Sequence, residues 1–455
     1  MKEYKHILVA GAGVSGICAS KLIARNKIRA TLFDENKKGA LTEESLWNKL
    51  GEDADRDLIS LHLGELTDAL LSDVDCMVIS PGISLEVPFV EKVRAAKIEI
   101  IGEIELAWQF EKGSVAAITG TNGKTTTTTL VGEIMKAANP ETFVVGNIGI
   151  PYTSVCDRTT EHSVSVAEIS SFQLETIKSF HPRVSAVLNL TPDHMDRHHT
   201  FDNYANCKFD IAKYQTEEDY CVLNADDEET VKRADRLSCK KIFFSRLTEQ
   251  KNGVYVKNGN VVIDHDGNAE TVMPLSDFKL LGSHNVENLL ASVAISYYMG
   301  ADIATIARVC SEFKGVAHRI EFVRSLDGVN YYNDSKGTNP DAAIKGIRAM
   351  DRPTLLIGGG YDKKIPFDDW ILAFDGKVKR LVLIGQTREI IADCARSHGF
   401  TEIAFAESLE QAIDDCRAHA EAGDAVLLSP ACASWGMFDN YEQRGDMFRD
   451  YVNQF

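Results

Sequence analysis

The chain has 455 residues, 44% hydrophobic and 25% charged, a balance that fits about three soluble globular domains. Its net charge of −18 excludes a broad nucleic-acid-binding face, which needs clustered Lys and Arg, but leaves room for a local anion pocket. None of the ten cysteines forms a C-x-x-C pair, so they read as reduced thiols and not as a disulfide framework or zinc site. No run nears the ~20 apolar residues of a membrane span, and "MKEYKHILVAGAG" lacks a signal-peptide pattern. A cytoplasmic protein without membrane insertion is expected.

In chain order, short β-rich runs alternate with helical stretches, the pattern of an α/β protein with mainly parallel sheets. "HILVA" leads through a glycine turn into the helix "VSGICASKLIARN". "RATLFD" and "DCMVISPG" are further strands, and the helix "GEIELAWQFEKG" closes a first domain near residue 112. "SVAAITG" opens a second domain, with strands at "TFVVGN", "SVSVAEIS", "VSAVLNL" and "DYCVLNADD". "NGVYVKNGNVVIDHDG" reads as a hairpin turning on Asn-Gly. The helices "HNVENLLASVAISYYMG" and "IATIARVCSEFKG" end this domain. A third begins near "HRIEF", with strands "PTLLIGGG", "RLVLIG" and "DAVLLSPA". The expected division is 1–112, 113–317 and 318–455, with no internal repeat or low-complexity tract.

Two glycine loops carry phosphate chemistry. "GAGVSG", residues 11–16, follows a strand, opens a helix and is trailed by Asp34 at the end of the next strand, a Rossmann layout. Gly11 permits the tight turn, and Gly13 lets a diphosphate approach the backbone at a helix N-terminus. Alone, this loop leaves NAD, another diphosphate such as a nucleotide-sugar, and a structural turn all open. "GTNGKTT", residues 120–126, again lies between strand and helix, with Ile118 where a standard P-loop has its first glycine. Backbone amides from Gly120 through Thr121, Asn122 and Gly123 to Lys124 can wrap β- and γ-phosphates. The Lys124 ammonium can neutralise the transferring phosphate, and the Thr125 hydroxyl can bind Mg²⁺. Two such loops imply two phosphorylated ligands. Glu168 and His194 both fall at C-terminal strand ends, the edge where open α/β sheets bind ligands, so together they can hold Mg²⁺ beside the γ-phosphate. His198 and His199 read as loop residues.

"GTNGKTT", "GNIG" at 146–149, "EISSFQLE" at 168–175, "DHMDRH" at 193–198, "GSHNVENLLA" at 282–291 and "HR" at 318–319 occur in the order of the Mur ligase family. These are the ATP-dependent amide ligases of peptidoglycan precursor synthesis, and the resemblance spans essentially the whole chain. It explains the shortened loop. It implies three α/β domains: a Rossmann-like N-terminal domain that binds a UDP substrate, a central P-loop ATPase-like domain, and a Rossmann-like C-terminal domain. "NDSKGTNPDAA" at 333–343, "GGYDKK" at 359–364 and "SPACASWGMFDNYEQRG" at 429–445 resemble the branch that adds D-glutamate to UDP-N-acetylmuramoyl-L-alanine.

The resemblance also implies roles by position. Lys124, Thr125 and Thr126 would serve ATP and Mg²⁺, with Glu168, His194 and Lys208 as the remaining metal-site residues and Lys208 carried as a carbamate. An ammonium repels Mg²⁺, whereas a carbamate offers it an anionic oxygen. Asn285, Asn288, Arg319, Asp334 and Lys336 would complete the ATP site. Val14, Ser15, Asp34, Ser80, Gly82 and Asn147 would receive the UDP substrate, making "GAGVSG" a UDP cradle. Thr338, Lys363, Ser434 and Tyr441 would receive D-glutamate. The implied reaction activates the L-alanyl carboxylate as an acyl phosphate, which the D-glutamate amine attacks. A monomer is expected. Other readings are an L-alanine-adding ligase or folylpolyglutamate synthase of the same superfamily, an NAD-dependent oxidoreductase, and a nucleotide-gated binding protein without catalysis. The "NDSKGTN" and "ACAS" segments favour D-glutamate over the first of these.

Overall fold

A computed structural model describes residues 4–36, 39 and 41–455. The first sheet is wholly parallel, in the order β3-β2-β1-β4-β5. Its strands are β1 (His6–Ala10), β2 (Arg29–Asp34), β3 (Ile59–Leu63), β4 (Cys76–Ile79) and β5 (Glu99–Gly102). The buried apolar runs of β1, β2 and β4 are what a sheet covered on both faces demands.

The second sheet contains β6 (Ser114–Thr119), β7 (Thr142–Gly146), β8 (Val164–Glu168), β9 (Val184–Val187), β10 (Tyr220–Asn224), β11 (Lys240–Ser245), β12 (Gly253–Lys257), β13 (Asn260–His265) and β14 (Asn268–Pro274). Its order is β14-β13-β12-β11-β10-β9-β6-β8-β7, parallel except for the antiparallel meander β12–β14. The Asn-Gly turn forms as the sequence predicts: Asn258 and Gly259 both take positive φ, 49° and 73°, between β12 and β13. The helix Lys124–Ala138 forms despite its threonine run because Thr126, Thr127 and Thr128 are buried, while the Thr129 hydroxyl donates back to the Thr125 carbonyl at 2.8 Å.

These two sheets belong to one compact unit, residues 1–277 with 287–311. One apolar cluster runs from Ile7 and Leu22 through Ile104 to Tyr152, Phe180 and Leu223. Three carboxylates near the end of the first sheet reach into the second layer. Glu103 accepts from the Thr153 amide (2.7 Å) and hydroxyl (2.8 Å). Glu105 accepts from the Lys178, Ser179 and Phe180 amides at 2.8–3.1 Å. Glu111 accepts from Tyr152 and Ser165, both at 2.7 Å. Burial raises the Glu103 carboxyl above its ordinary range, and its hydrogen bonds oppose that rise.

The other unit, residues 278–286 with 312–455, holds the third sheet. Its strands are β15 (Glu321–Leu326), β16 (Val329–Asn333), β17 (Thr354–Gly359), β18 (Val378–Ile384), β19 (Ile403–Phe405) and β20 (Ala425–Leu428), in the order β15-β16-β20-β17-β18-β19. Only β15 is antiparallel to its neighbour. Separate apolar clusters, one around Trp370 and Leu356 and one around Phe448 and Ile357, cover its faces. No helix among the described residues is long and apolar enough to cross a membrane.

Candidate active site

The first glycine loop turns where the sequence places it. Gly11 has φ 102°, and a Cβ there would lie 2.6 Å from Ser80 Oγ, so the loop and the Ser80 segment pack only around glycine. A Cβ on Gly13 or Gly82 would meet nothing within 4 Å, which leaves both backbones approachable. Val14 is exposed, Ser15 half-buried. Asp34 braces the loop, its carboxylate accepting from the Ala12 amide (3.0 Å) and the Asn36 amide (2.8 Å).

The second loop leaves β6, and β8 and β9 flank β6 in the sheet. The chain ends of three adjacent parallel strands therefore deliver the phosphate loop, Glu168 and the segment that runs from Leu188 to His194 to one sheet edge. Asn147 arrives from β7, next to β8. The loop is braced by Asn189, which the sequence reading did not single out. Its side chain accepts from the Asn122 amide (2.8 Å) and donates to the Asn122 carbonyl (3.1 Å). Thr121 Oγ1 lies 3.0 Å from Tyr204 Oη and 3.1 Å from the Thr191 carbonyl.

Gly123 takes a left-handed conformation, φ 82°, immediately before the helix Lys124–Ala138, and a Cβ there would fall on Asn288 Oδ1. Asn288 is buried, and Oδ1 lies 3.4 Å from Thr127 Oγ1 as acceptor. Gly123→Ala is expected to lower turnover about tenfold and thermal stability by about 1–3 kcal/mol, from strain plus displacement of Asn288. Steady-state kinetics and a melting curve check it; a variant that matches wild type in both shows that the loop tolerates a side chain here.

Two lysines converge on one carbonyl. Lys124 Nζ donates to the Gly120 oxygen (2.8 Å) and the Thr121 oxygen (3.0 Å), and Lys208 Nζ donates to the same Gly120 oxygen at 2.8 Å. Lys208 is buried. Burial, then the neighbouring Lys124 ammonium, pushes its amine down to about 7. Glu168 is buried too. One carboxylate oxygen accepts from Asn147 Nδ2 at 2.7 Å, and the other has no hydrogen-bond partner among the described residues. An orphaned, buried carboxylate oxygen is a fit for a cation.

His194 is half exposed at φ 54°, its ring 4.8 Å from that of Phe172. His198, expected in a loop, instead ends the short helix Met195–His198. It is buried, with Nε2 3.0 Å from Ser171 Oγ and its ring stacked on Phe172.

In the other unit, β16, β20 and β17 are neighbours, and their C-terminal ends bring Asp334, Lys336, Thr338, Lys363 and Ser434 to one edge. Asp334 is buried, accepts from Ser429 Oγ at 2.7 Å, and burial raises its carboxyl to about 7, opposed by that hydrogen bond and by the charge of Arg319. Arg319 is exposed. Lys363 Nζ donates to the Thr338 carbonyl at 3.2 Å, and Ser434 is buried. Lys336 Nζ lies 5.8 Å from the Tyr441 ring centre. Asn285 donates to the Leu281 carbonyl at 2.7 Å. Arg444, also absent from the sequence reading, is fully buried. It donates to Ser335 Oγ, the Ser335 carbonyl and the Cys432 carbonyl, fastening the loop after β16 to the loop after β20.

A dinucleotide-type sheet fused to a sheet with a phosphate loop, a buried carboxylate and a buried lysine defines an α/β nucleotide-using enzyme. Family models match in chain order: the Mur ligase MurD-like N-terminal domain at 5–102, the Mur ligase middle domain at 118–296, and the Mur ligase glutamate ligase domain at 318–432. The chain belongs to the Mur ligase family. Among its relatives, the UDP-N-acetylmuramoylalanine–D-glutamate ligase of Lachnoclostridium phytofermentans is 48% identical over 99% of this chain and 98% of its own. The ligases of the same name from Lachnospira eligens and Clostridioides difficile are 50% and 44% identical over the same shares. In fold, the chain resembles the UDP-N-acetylmuramate-alanine ligase MurC of Thermotoga maritima, with a TM-score of 0.57 at 18% identity over 99% of this chain and 100% of that one. It also resembles MurF of the same organism, solved in complex with ADP, with a TM-score of 0.53 at 17% identity over 85% of this chain and 91% of that one.

Proposed function

We infer that this chain is an ATP-dependent ligase that joins D-glutamate to UDP-N-acetylmuramoyl-L-alanine in peptidoglycan precursor synthesis. Near-complete, roughly half-identical alignment to ligases of that name supports the substrate pair. The observation that carries the chemistry is the meeting of Lys124 and Lys208 on the Gly120 carbonyl. Burial and the adjacent Lys124 ammonium push the Lys208 amine toward its neutral form, the form that takes up CO₂ to become the carbamate of this reading, while Lys124 stays the cation that meets phosphate.

In this reading the L-alanyl carboxylate takes the γ-phosphoryl group of ATP, releasing ADP. The D-glutamate amine, having lost its proton, attacks the acyl phosphate, and the tetrahedral adduct expels phosphate to leave the amide. Lys124 and the loop amides from Gly120 to Thr126 hold the phosphates, and Asn288 supports the loop from its helix. Thr125, Glu168, His194 and Lys208 as a carbamate would hold Mg²⁺, which when bound supplies positive charge for the transferring phosphoryl group; the unpartnered Glu168 oxygen supports this set. Val14, Ser15, Asp34, Ser80, Gly82 and Asn147 receive the UDP substrate. Asn285, Arg319, Asp334 and Lys336 act on ATP, and Thr338, Lys363, Ser434 and Tyr441 on D-glutamate. Three sheets and three family matches support three domains at 1–112, 113–317 and 318–455. A cytoplasmic monomer completes the proposal.

Phosphate release tests it, with ATP, Mg²⁺, the UDP substrate and a panel of amino acids. Release is expected to require both the UDP substrate and D-glutamate, with L-glutamate, L-alanine and diaminopimelate giving little. A site built for two carboxylates and one amine of fixed handedness leaves buried charges unpaired when any is missing. Equal turnover with L-alanine would sink the D-glutamate assignment.

A further inference from the structure

Arg197 lies in "DHMDRH", three residues beyond His194, yet its guanidinium is spent on other segments. Nη1 donates to the Pro81 carbonyl at 2.9 Å and Nη2 to the Ile83 carbonyl at 3.2 Å. Both carbonyls lie in the loop that follows β4 and carries Ser80 and Gly82. Nε and Nη2 also form a two-pronged pair with the Glu175 carboxylate, at 3.2 and 2.6 Å. The guanidinium carbon, Cζ, sits over the Phe172 ring, 4.1 Å from its centre. That ring in turn packs against His194, at 4.8 Å, and His198, at 5.6 Å. Both members of the ion pair are mostly shielded from water, with side-chain exposures of 14% for Arg197 and 16% for Glu175. His199 Nε2 adds a contact to Glu86 at 2.9 Å, one turn further along the same first-sheet loop.

We propose that Arg197 is a positioning residue for the ligase reaction, clamping the main chain of the Ser80–Gly82 loop to the Phe172 and His194 side of the phosphate site. The inference rests on the reading above, in which that loop receives the UDP substrate and His194 serves the phosphate site. The two carbonyls point one edge of the loop at the guanidinium and so fix which way its remaining backbone faces. The carboxylate fork of Glu175 and the Phe172 face fix the guanidinium itself. A loop held at two points by a planar fork is ordered before substrate arrives, so substrate binding loses less freedom. The same group props the ring on which His194 rests. A lysine cannot replace it, because one ammonium has three N–H donors and cannot make the four hydrogen bonds of this guanidinium to two carbonyls and a carboxylate.

The test measures binding and turnover separately. UDP-N-acetylmuramoyl-L-alanine is titrated by calorimetry into wild type, Arg197→Lys and Phe172→Leu without ATP or metal, and a non-hydrolysable ATP analogue is titrated separately. Arg197→Lys is expected to weaken UDP-substrate binding about tenfold and to lower kcat about tenfold, with analogue affinity within about twofold, as for loss of ground-state order plus misplacement of a reacting group. Phe172→Leu is expected to lower kcat about tenfold while weakening UDP-substrate binding only about twofold, because it removes the prop under His194 but leaves the carbonyl clamp. Millimolar methylguanidinium is expected to restore part of the UDP-substrate affinity of Arg197→Ala. If wild type fails to bind the UDP substrate, the functional reading falls. If wild type binds and Arg197→Lys binds equally well, the clamp is wrong while the functional reading stands. Should Arg197→Lys not fold, Phe172→Leu decides: unchanged kcat overturns the coupling to His194. Equal weakening of UDP-substrate and ATP-analogue binding would show a general structural role and overturn the proposal as well.

Discussion

Lys124→Ala is expected to reduce phosphate release by about a thousandfold, ~4 kcal/mol of transition-state stabilisation, while UDP-substrate binding stays within about twofold of wild type. In the structure the ammonium holds two carbonyls of its own loop, Gly120 and Thr121. Those bonds are what a phosphate would exchange for stronger, charge-assisted ones. The glycine loop assigned to the UDP substrate lies on a different sheet, and no hydrogen bond described for Asp34 or Ser80 involves Lys124. Calorimetry with the UDP substrate, beside a phosphate-release assay, separates the two ligands. Loss of UDP-substrate affinity as large as the loss of turnover would show that the loops do not divide the ligands in this way.

The second large effect concerns Lys208. Lys208→Ala is expected to lose about a thousandfold in turnover, and acetate or formate is expected to restore part of it by placing an oxygen anion where the carbamate would lie. Carbamate formation joins the free amine to CO₂ and releases one proton, so stripping CO₂ and bicarbonate should weaken the wild-type enzyme. Burial and Lys124 push the buried amine down to about 7, so near neutral pH it has far more of the neutral form that this reaction needs than an ordinary lysine does. Lys208→Arg should stay inactive, since a guanidinium remains protonated and forms no carbamate. The opposite outcome, an active Arg variant with no carboxylate rescue of the Ala variant, would assign Lys208 the role of a cation against the phosphate. The Mg²⁺ set would then lose one of its members.

Much of the site was legible because its residues sit at strand ends and in loops of fixed spacing. Gly11, Gly13, Gly120 and Gly123 are read from local turn chemistry, and the structure gives Gly11, Gly120 and Gly123 positive φ. Glu168 was found because it ends an alternating apolar run, and its burial and open oxygen agree with a cation ligand. Other residues gain their roles only through distant pairing. Arg444 reaches Ser335 across 109 residues, and an arginine in a polar helix is ordinarily assumed exposed. Asn189 is one polar residue among many until the register of β6 beside β9 sets it against the phosphate loop. Arg197 is hidden for the same reason, its partners Pro81 and Ile83 lying more than a hundred residues earlier. The strand β14 is not legible in the sequence because most of it is exposed and its start reads as polar, as an edge strand of a meander can.

The fused core beneath the first two sheets has a consequence for ligand design. Glu103, Glu105 and Glu111 fasten the layer that carries Asp34 and Ser80 to the layer that carries Lys124, and the side chains between them are closely buried. Two anchor points carried on one shared core behave like the jaws of a calliper set to a single opening. On the functional reading proposed above, a bivalent compound with a uridine-like head and a phosphate-like tail gains avidity over a narrow window of tether length, and a stiff tether of that length outperforms a floppy one. Affinity plotted against tether length thus becomes a ruler for the distance between the two proposed sites, readable in solution without a crystal.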